Sequence, residues 1–232
     1  MPVVKRVGHK GAHHIAPGNT LASFDAALGH GVDMIEFDVL PEHADGTGRL
    51  LLAHDYEDAR RAGVIDLDQA LAHLRSVPYD GVELDVDLKL RGYEERVLEA
   101  LAAHDLTDRA LISTMERESL RVIRALDPRV RIGLSVPKLR RDLLASRWTR
   151  YPTYAAAGAA RRVLPARAAR AIRAGAFDAL MCHWALVTPR LARAVVGAGG
   201  ELYVWTVDDA ARITQIEAMG VSGIITNDPR LF

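Results

Sequence analysis

The sequence predicts an α/β protein of the (β/α)8 (TIM) barrel class, and three observations carry that prediction. Short apolar runs alternate with helical patterns from end to end, as a parallel sheet with crossover helices requires. The length, 232 residues, suits one such barrel, so residues 1–232 are expected to form a single domain. Two neighbouring strand segments place acids on the face that a barrel turns inward, where Val, Ile and Leu ordinarily pack.

Taken in order, strands are predicted at residues 3–8, 34–40, 50–53, 82–88, 110–113, 131–136, 178–182, 202–207 and 223–226. That is one more than a barrel uses. Too few residues lie between Val39 and Leu50 for a crossover helix, so 50–53 is expected to return as a short β-hairpin after strand 2. Asn19 or Thr20 can cap a helix running to about His30, with Gly31 as its stop. Asp66 to Leu71 opens another. Gly92 to Ala103, Glu116 to Leu126, Pro189 to Ala198 and Asp208 to Met219 continue the series. The segment Lys138–Arg173 is longer than one connection requires and predicts a helical excursion of two helices after strand 6.

Hydrophobic residues make up 49% of the chain, enough for a substantial core, and 30 basic residues balance 30 acidic ones. That balance gives no basis for a nucleic-acid partner. The single cysteine, Cys182, excludes an intramolecular disulfide and a cysteine zinc cluster. The sequence opens without a secretory-type segment, and no apolar stretch approaches the roughly 20 residues that span a bilayer. A cytoplasmic protein is the expectation.

Strand side chains alternate between faces. On the second strand Ile35, Phe37 and Val39 share one face, and Glu36 and Asp38 the other. On the next barrel strand Val82, Leu84, Val86 and Leu88 oppose Glu83, Asp85, Asp87 and Lys89. Apolar faces belong against the helices, which turns the charged faces inward. Carboxylates buried without partners are strongly destabilising. A divalent cation resolves the conflict; a salt-bridge network with Lys89 and neighbouring arginines is the competing solution. Oxygen ligands favour a hard ion, Mg2+ or Ca2+, with Mn2+ a third candidate. Glu36, Asp38 and Asp87 lie near the C-terminal ends of their strands, where barrel active sites form, and are the expected ligands. Glu83 sits near the opposite end and reads as structural.

His9 ends the first strand, and His54 ends the hairpin, whose returning arm brings it over the barrel mouth. Two histidines above a metal site supply a general acid and a general base, with the assignment between them open. His30, His43, His73 and His104 read as ordinary surface or core residues. His13, His14 and His183 stay open between pocket and surface.

These residues fall into ordered motifs. His9-Lys10-Gly11 precedes Pro17-Gly18-Asn19-Thr20; then come Glu36-Phe37-Asp38, His54-Asp55 and Asp87-Leu88-Lys89. Val204-Trp205-Thr206-Val207-Asp208 and Gly223-Ile224-Ile225-Thr226-Asn227-Asp228-Pro229 close the series. The ordered set, from residue 9 to residue 229, resembles the glycerophosphodiester phosphodiesterase family. The resemblance implies a metal held by Glu36, Asp38 and Asp87, with His9 and His54 as the acid–base pair. It implies attack by the glycerol hydroxyl beside the phosphate, loss of the alcohol, and opening of a cyclic phosphate by water to give glycerol 3-phosphate. Lys89, assisted by Lys10, would stabilise charge on the phosphoryl oxygens. Trp205 would be an apolar wall for the substrate, or plain barrel packing.

Four positions depart from the family pattern. Gly18 stands in place of a glutamate, Lys10 of an arginine, Asp87 of a glutamate, and Asn227 of a carboxylate. An Asp-x-Lys pair also occurs in the related sphingomyelinase D enzymes of spider venom. Two alternatives therefore accompany hydrolysis of small glycerophosphodiesters. One is a lipid-active phospholipase D-type enzyme, of lysophospholipase D or sphingomyelinase D kind. The other is a non-catalytic barrel that binds phosphorylated ligands. The segment Lys138–Arg173 carries ten basic residues against one acid, Asp142, with Trp148, Tyr151 and Tyr154 among them. It fits peripheral contact with anionic lipid, or an arginine-rich solvated helix pair.

Overall fold

A computed structural model describes residues 3–137 and 147–232, the side chains of 147–157 excepted. Among the described residues the strands are β1 (Lys5–Gly8), β2 (Met34–Pro41), β3 (Leu50–Leu51), β4 (Glu83–Leu88), β5 (Ala110–Thr114), β6 (Arg131–Val136), β7 (Ala179–His183), β8 (Glu201–Trp205) and β9 (Gly223–Thr226). The α-helices are α1 (Leu21–Gly29), α2 (Leu67–Leu74), α3 (Glu94–Ala103), α4 (Arg117–Leu126), α5 (Arg147–Arg173), α6 (Pro189–Val196) and α7 (Ala210–Glu217). Eight strands pair in parallel as β1-β2-β4-β5-β6-β7-β8-β9, and β9 pairs back onto β1, closing the barrel. The ninth, β3, lies antiparallel on the end of β2, with Leu51 opposite Leu40, which is the expected hairpin.

Local chemistry starts the helices where the sequence indicates. Thr20 caps α1 in a reciprocal box with Ser23, and Asp66 caps α2 in the same way with Gln69. Thr188 and Asp209 cap α6 and α7. Two helices were expected over Lys138–Arg173. The described part, Arg147–Arg173, is one continuous helix, and residues 138–146 lie outside the described residues. Its alanine-rich run sustains helix strongly enough to carry Pro165, which removes one N–H from the ladder, in mid-helix.

The strand faces divide the core in two. Outward residues such as Phe37, Leu84, Val86, Ile112 and Val204 pack against Phe24, Leu71, Val97, Leu120 and Ile213 of the helices. Inside the barrel, Val7, Met34, Leu111, Met181, Tyr203 and Ile225 form a smaller buried cluster. Below it, at the N-terminal end of the strands, Lys5 pairs with Glu83 at 2.6 Å, and Arg131 joins Glu83 to Glu201. Tyr203 Oη donates to Glu201 at 3.1 Å. Glu83 therefore belongs to an ionic floor.

Candidate active site

The site is built on the C-terminal ends of β1, β2 and β4. In β2 and β4 the register sets Glu36 beside Asp85 and Asp38 beside Asp87, so four inward acids occupy two adjacent layers. The loop after β1 folds over them. Lys10 and Asn19 adopt left-handed backbone angles, φ 52° and 59°, the latter a conformation that asparagine tolerates well. That turn aims the Lys10 N–H at Glu36 Oε2, 2.8 Å away. Asn19 clamps Asp38 from both sides: its Nδ2 donates to Oδ2 at 2.9 Å, and its Oδ1 accepts from the Asp38 N–H at 3.1 Å.

Glu36, Asp38 and Asp87 each present an oxygen within 4.8 Å of the others. Lys89 Nζ pairs with both Asp38 and Asp87, and Lys10 Nζ lies 3.2 Å from Asp38. Burial works against an ionised Asp38, but Lys89 and Lys10 overcome it and hold the carboxyl well below its ordinary range. Burial, reinforced by Asp38, pushes Glu36 well up. Burial likewise raises Asp87, against the pull of Lys89, and lifts Asp85 to about 7.

A divalent cation fits this arrangement on two grounds. Fully ionised, the four carboxylates would exceed the two ammonium groups by the two charges that one dication carries, and burial without that cation is what pushes Glu36, Asp85 and Asp87 up. Asp87 Oδ1 is buried without a hydrogen-bond partner, a costly state for a carboxylate oxygen. The donors are all oxygens, which suits Mg2+, Ca2+ or Mn2+.

His9 and His54 flank the acids and line one cavity of about 270 Å3 with Glu36, Asp87, Lys89 and Trp205. His9 Nδ1 is 2.6 Å from Asn227 Oδ1. The Asn227 amide has its Nδ2 committed to Asp208 at 2.7 Å, so its oxygen faces the ring and His9 donates through Nδ1. That leaves Nε2 as the basic nitrogen, 3.8 Å from Glu36 Oε2. Burial lowers the His9 pKa to about 4, against the opposing pull of Asp38. His54 is half exposed, with Nδ1 3.4 Å from Asp55 Oδ2.

The cavity thus gathers His9, His54, Glu36, Asp87, Lys89 and Trp205, with Asp38 and Lys10 directly behind. The remaining histidines separate. His13 accepts the Gly18 N–H at 3.1 Å and lines a neighbouring pocket with Lys10 and Arg61, while His14 is exposed. His183 accepts the Ala185 N–H through Nδ1 and stands edge-on to Trp205, ring centroids 5.1 Å apart. Three participants have roles that sequence reasoning does not assign: Asn19 is read there only as a cap candidate and motif residue, Asn227 only as a departure from the family pattern, and Asp85 only as an inward residue of β4.

The model of the glycerophosphoryl diester phosphodiesterase family matches residues 9–57 and 89–231. Residues 58–88 fall between the matched segments, so the place of Asp87 rests on geometry. A glycerophosphodiester phosphodiesterase of Caldanaerobacter subterraneus subsp. tengcongensis is 24% identical over 96% of this chain and 93% of its own. The crystal structure of glycerophosphodiester phosphodiesterase from Agrobacterium tumefaciens has 21% identity and a TM-score of 0.69, with 99% of each chain covered. A phosphodiesterase of Oleispira antarctica, solved with the product sn-glycerol-3-phosphate, has 20% identity and a TM-score of 0.71, over 97% of this chain and 94% of that one. Both share the barrel fold. Since the family match runs through both histidine motifs, the β2 acids and the closing strands, this chain belongs to the glycerophosphoryl diester phosphodiesterase family.

Proposed function

We propose that the protein hydrolyses small glycerophosphodiesters to an alcohol and glycerol 3-phosphate, using a divalent cation held by Glu36, Asp38 and Asp87. The observation that carries this reading is the convergence of His9 and His54 on the cavity that Glu36 and Asp87 line. When bound, the cation would supply Lewis-acid stabilisation of charge on the phosphoryl oxygens and favour ionisation of the attacking hydroxyl. Lys89, beside Asp87, and Lys10 add positive charge at the same edge.

The histidines divide the proton work by their partners. His9, tied through Nδ1 to Asn227, offers Nε2 as the base that takes the proton from the glycerol hydroxyl next to the phosphate. The hydroxyl oxygen bonds to phosphorus as the bond to the alcohol oxygen breaks. His54, oriented by Asp55, gives its proton to that departing oxygen. Water then opens the cyclic phosphate with the two roles exchanged. Trp205 supplies an apolar side to the cavity. The cavity volume suits a small diester, and the product in the Oleispira antarctica relative is of the expected kind.

The test is release of glycerol 3-phosphate from a panel of glycerophosphodiesters in millimolar Mg2+ or Ca2+, repeated in EDTA and on His9→Ala. Activity should vanish in EDTA and fall by about 10^2- to 10^4-fold in the variant. Unchanged turnover by His9→Ala would overturn His9 as the base, and no cleavage of any headgroup would sink the enzymatic reading in favour of a barrel that only binds phosphorylated ligands.

A further inference from the structure

The arginines of this neutral chain are unevenly placed. Residues 143–200 hold nine arginines and a single acid, Asp178, and that acid is paired with Arg124 at 2.6 Å. The stretch builds α5 and α6, which pack side by side on one flank of the barrel. Arg162, Arg167, Arg170 and Arg173 of α5 and Arg190 and Arg193 of α6 are exposed. Val163 and Val196 lie among them, 44% and 43% exposed.

Elsewhere several exposed arginines have a local acid: Arg49 has Glu42, Arg121 has Glu118, Arg129 has Asp127 and Arg230 has Asp228. None of the six flank arginines forms an ion pair among the described residues. Like charges gathered without counter-ions raise the local potential and attract an anionic surface. Neither helix carries an acid of its own that could offset them.

We propose that the α5–α6 flank docks on an anionic lipid bilayer. Guanidinium groups pair with lipid phosphates, while exposed valines interleaved with them enter the headgroup boundary, the combination used by interfacial helices. A nucleic-acid backbone would engage the arginines but offers the valines nothing. The flank also reaches the barrel mouth, because Arg161 Nε donates at 2.8 Å to the carbonyl of Ala185, just beyond the end of β7. Docking therefore brings the cavity to the membrane surface.

Co-sedimentation of the full chain with phosphatidylcholine vesicles, with and without phosphatidylglycerol, tests this without relying on turnover. Binding should require phosphatidylglycerol, weaken with added salt, and fall about tenfold or more in Arg162→Gln/Arg167→Gln/Arg170→Gln. Hydrolysis of soluble glycerophosphodiesters should be the same in that variant and the parent chain, which also verifies its folding. Equal binding to both vesicles, no binding, or full binding by the variant would overturn the proposal. Displacement from vesicles by duplex DNA at equal charge would overturn it too. Failure of the phosphodiesterase reading would leave the vesicle result untouched.

Discussion

At residue 227 an amide replaces the expected carboxylate, and its surroundings explain what it does. Asp208 takes the amide Nδ2–H, so only the oxygen can face His9, and that fixes which ring nitrogen carries the proton. Asn227→Leu should lower kcat/KM by about a hundredfold, the scale of a misoriented catalytic group, with the melting temperature little changed. Steady-state kinetics beside a thermal melt checks this; an unaffected rate would mean that His9 needs no orientation. Residues on a strand were legible, because alternation alone turned Glu36, Asp38 and Asp87 inward. Asn227 and Asn19 were not. Each acts through a partner about twenty residues away or more, and no periodicity encodes such contacts.

Among the elements, the β1–α1 loop was the least legible. Asn19 and Thr20 were equal candidates for the cap, and the structure gives them separate tasks: Thr20 caps the helix while Asn19 clamps Asp38. Gly18 belongs to the same loop. A Cβ there would meet His13 Nδ1 at 2.6 Å and Lys10 Cβ at 2.9 Å, so the loop has closed over the space a glutamate would use. Gly18→Glu should therefore restore nothing, and should cost about 1–3 kcal/mol of stability, partly relieved by His13→Ala. Urea melts of the single and double variants measure it; a stabilised Gly18→Glu would contradict this packing. The strands were predicted to within about two residues at each end, since a barrel strand is an apolar run of definite length. The helical excursion after β6 was legible from its length, whereas the continuity of α5 through Pro165 was not, since proline ordinarily interrupts a helix.

For the molecule as a whole, the interior charge links stability to pH and to the cation. The folded pKa of Asp85, about 7, lies above the unfolded carboxylate range, so its protonated form favours the fold at low pH. That contribution is fully present below the unfolded pKa and is lost as pH rises through about 7. In EDTA the melting temperature should therefore fall between about pH 5 and about pH 8, and Asp85→Asn should flatten the fall. Millimolar Mg2+ or Ca2+ should raise the melting temperature at the upper end, because a ligand of the native state stabilises it. Asp87→Asn should blunt that rise. A melting curve indifferent to the cation would argue that Lys89 and Lys10 already satisfy the acids. The sequence made the conflict between inward acids and a dry barrel plain; how far two lysines ease it depended on side-chain reach.

The ionic floor of Lys5, Glu83, Arg131 and Glu201 has a further consequence. With Tyr203 and Met181 buried above it, the barrel interior is a dead end, open on one side. Substrate, departing alcohol, incoming water and the phosphate product must all pass the same doorway, one after another. Glycerol 3-phosphate, the last to leave, would block the next arrival. Added glycerol 3-phosphate should accordingly raise KM and leave kcat unchanged in initial-rate measurements, whereas a fall in kcat at saturating substrate would point to a second exit.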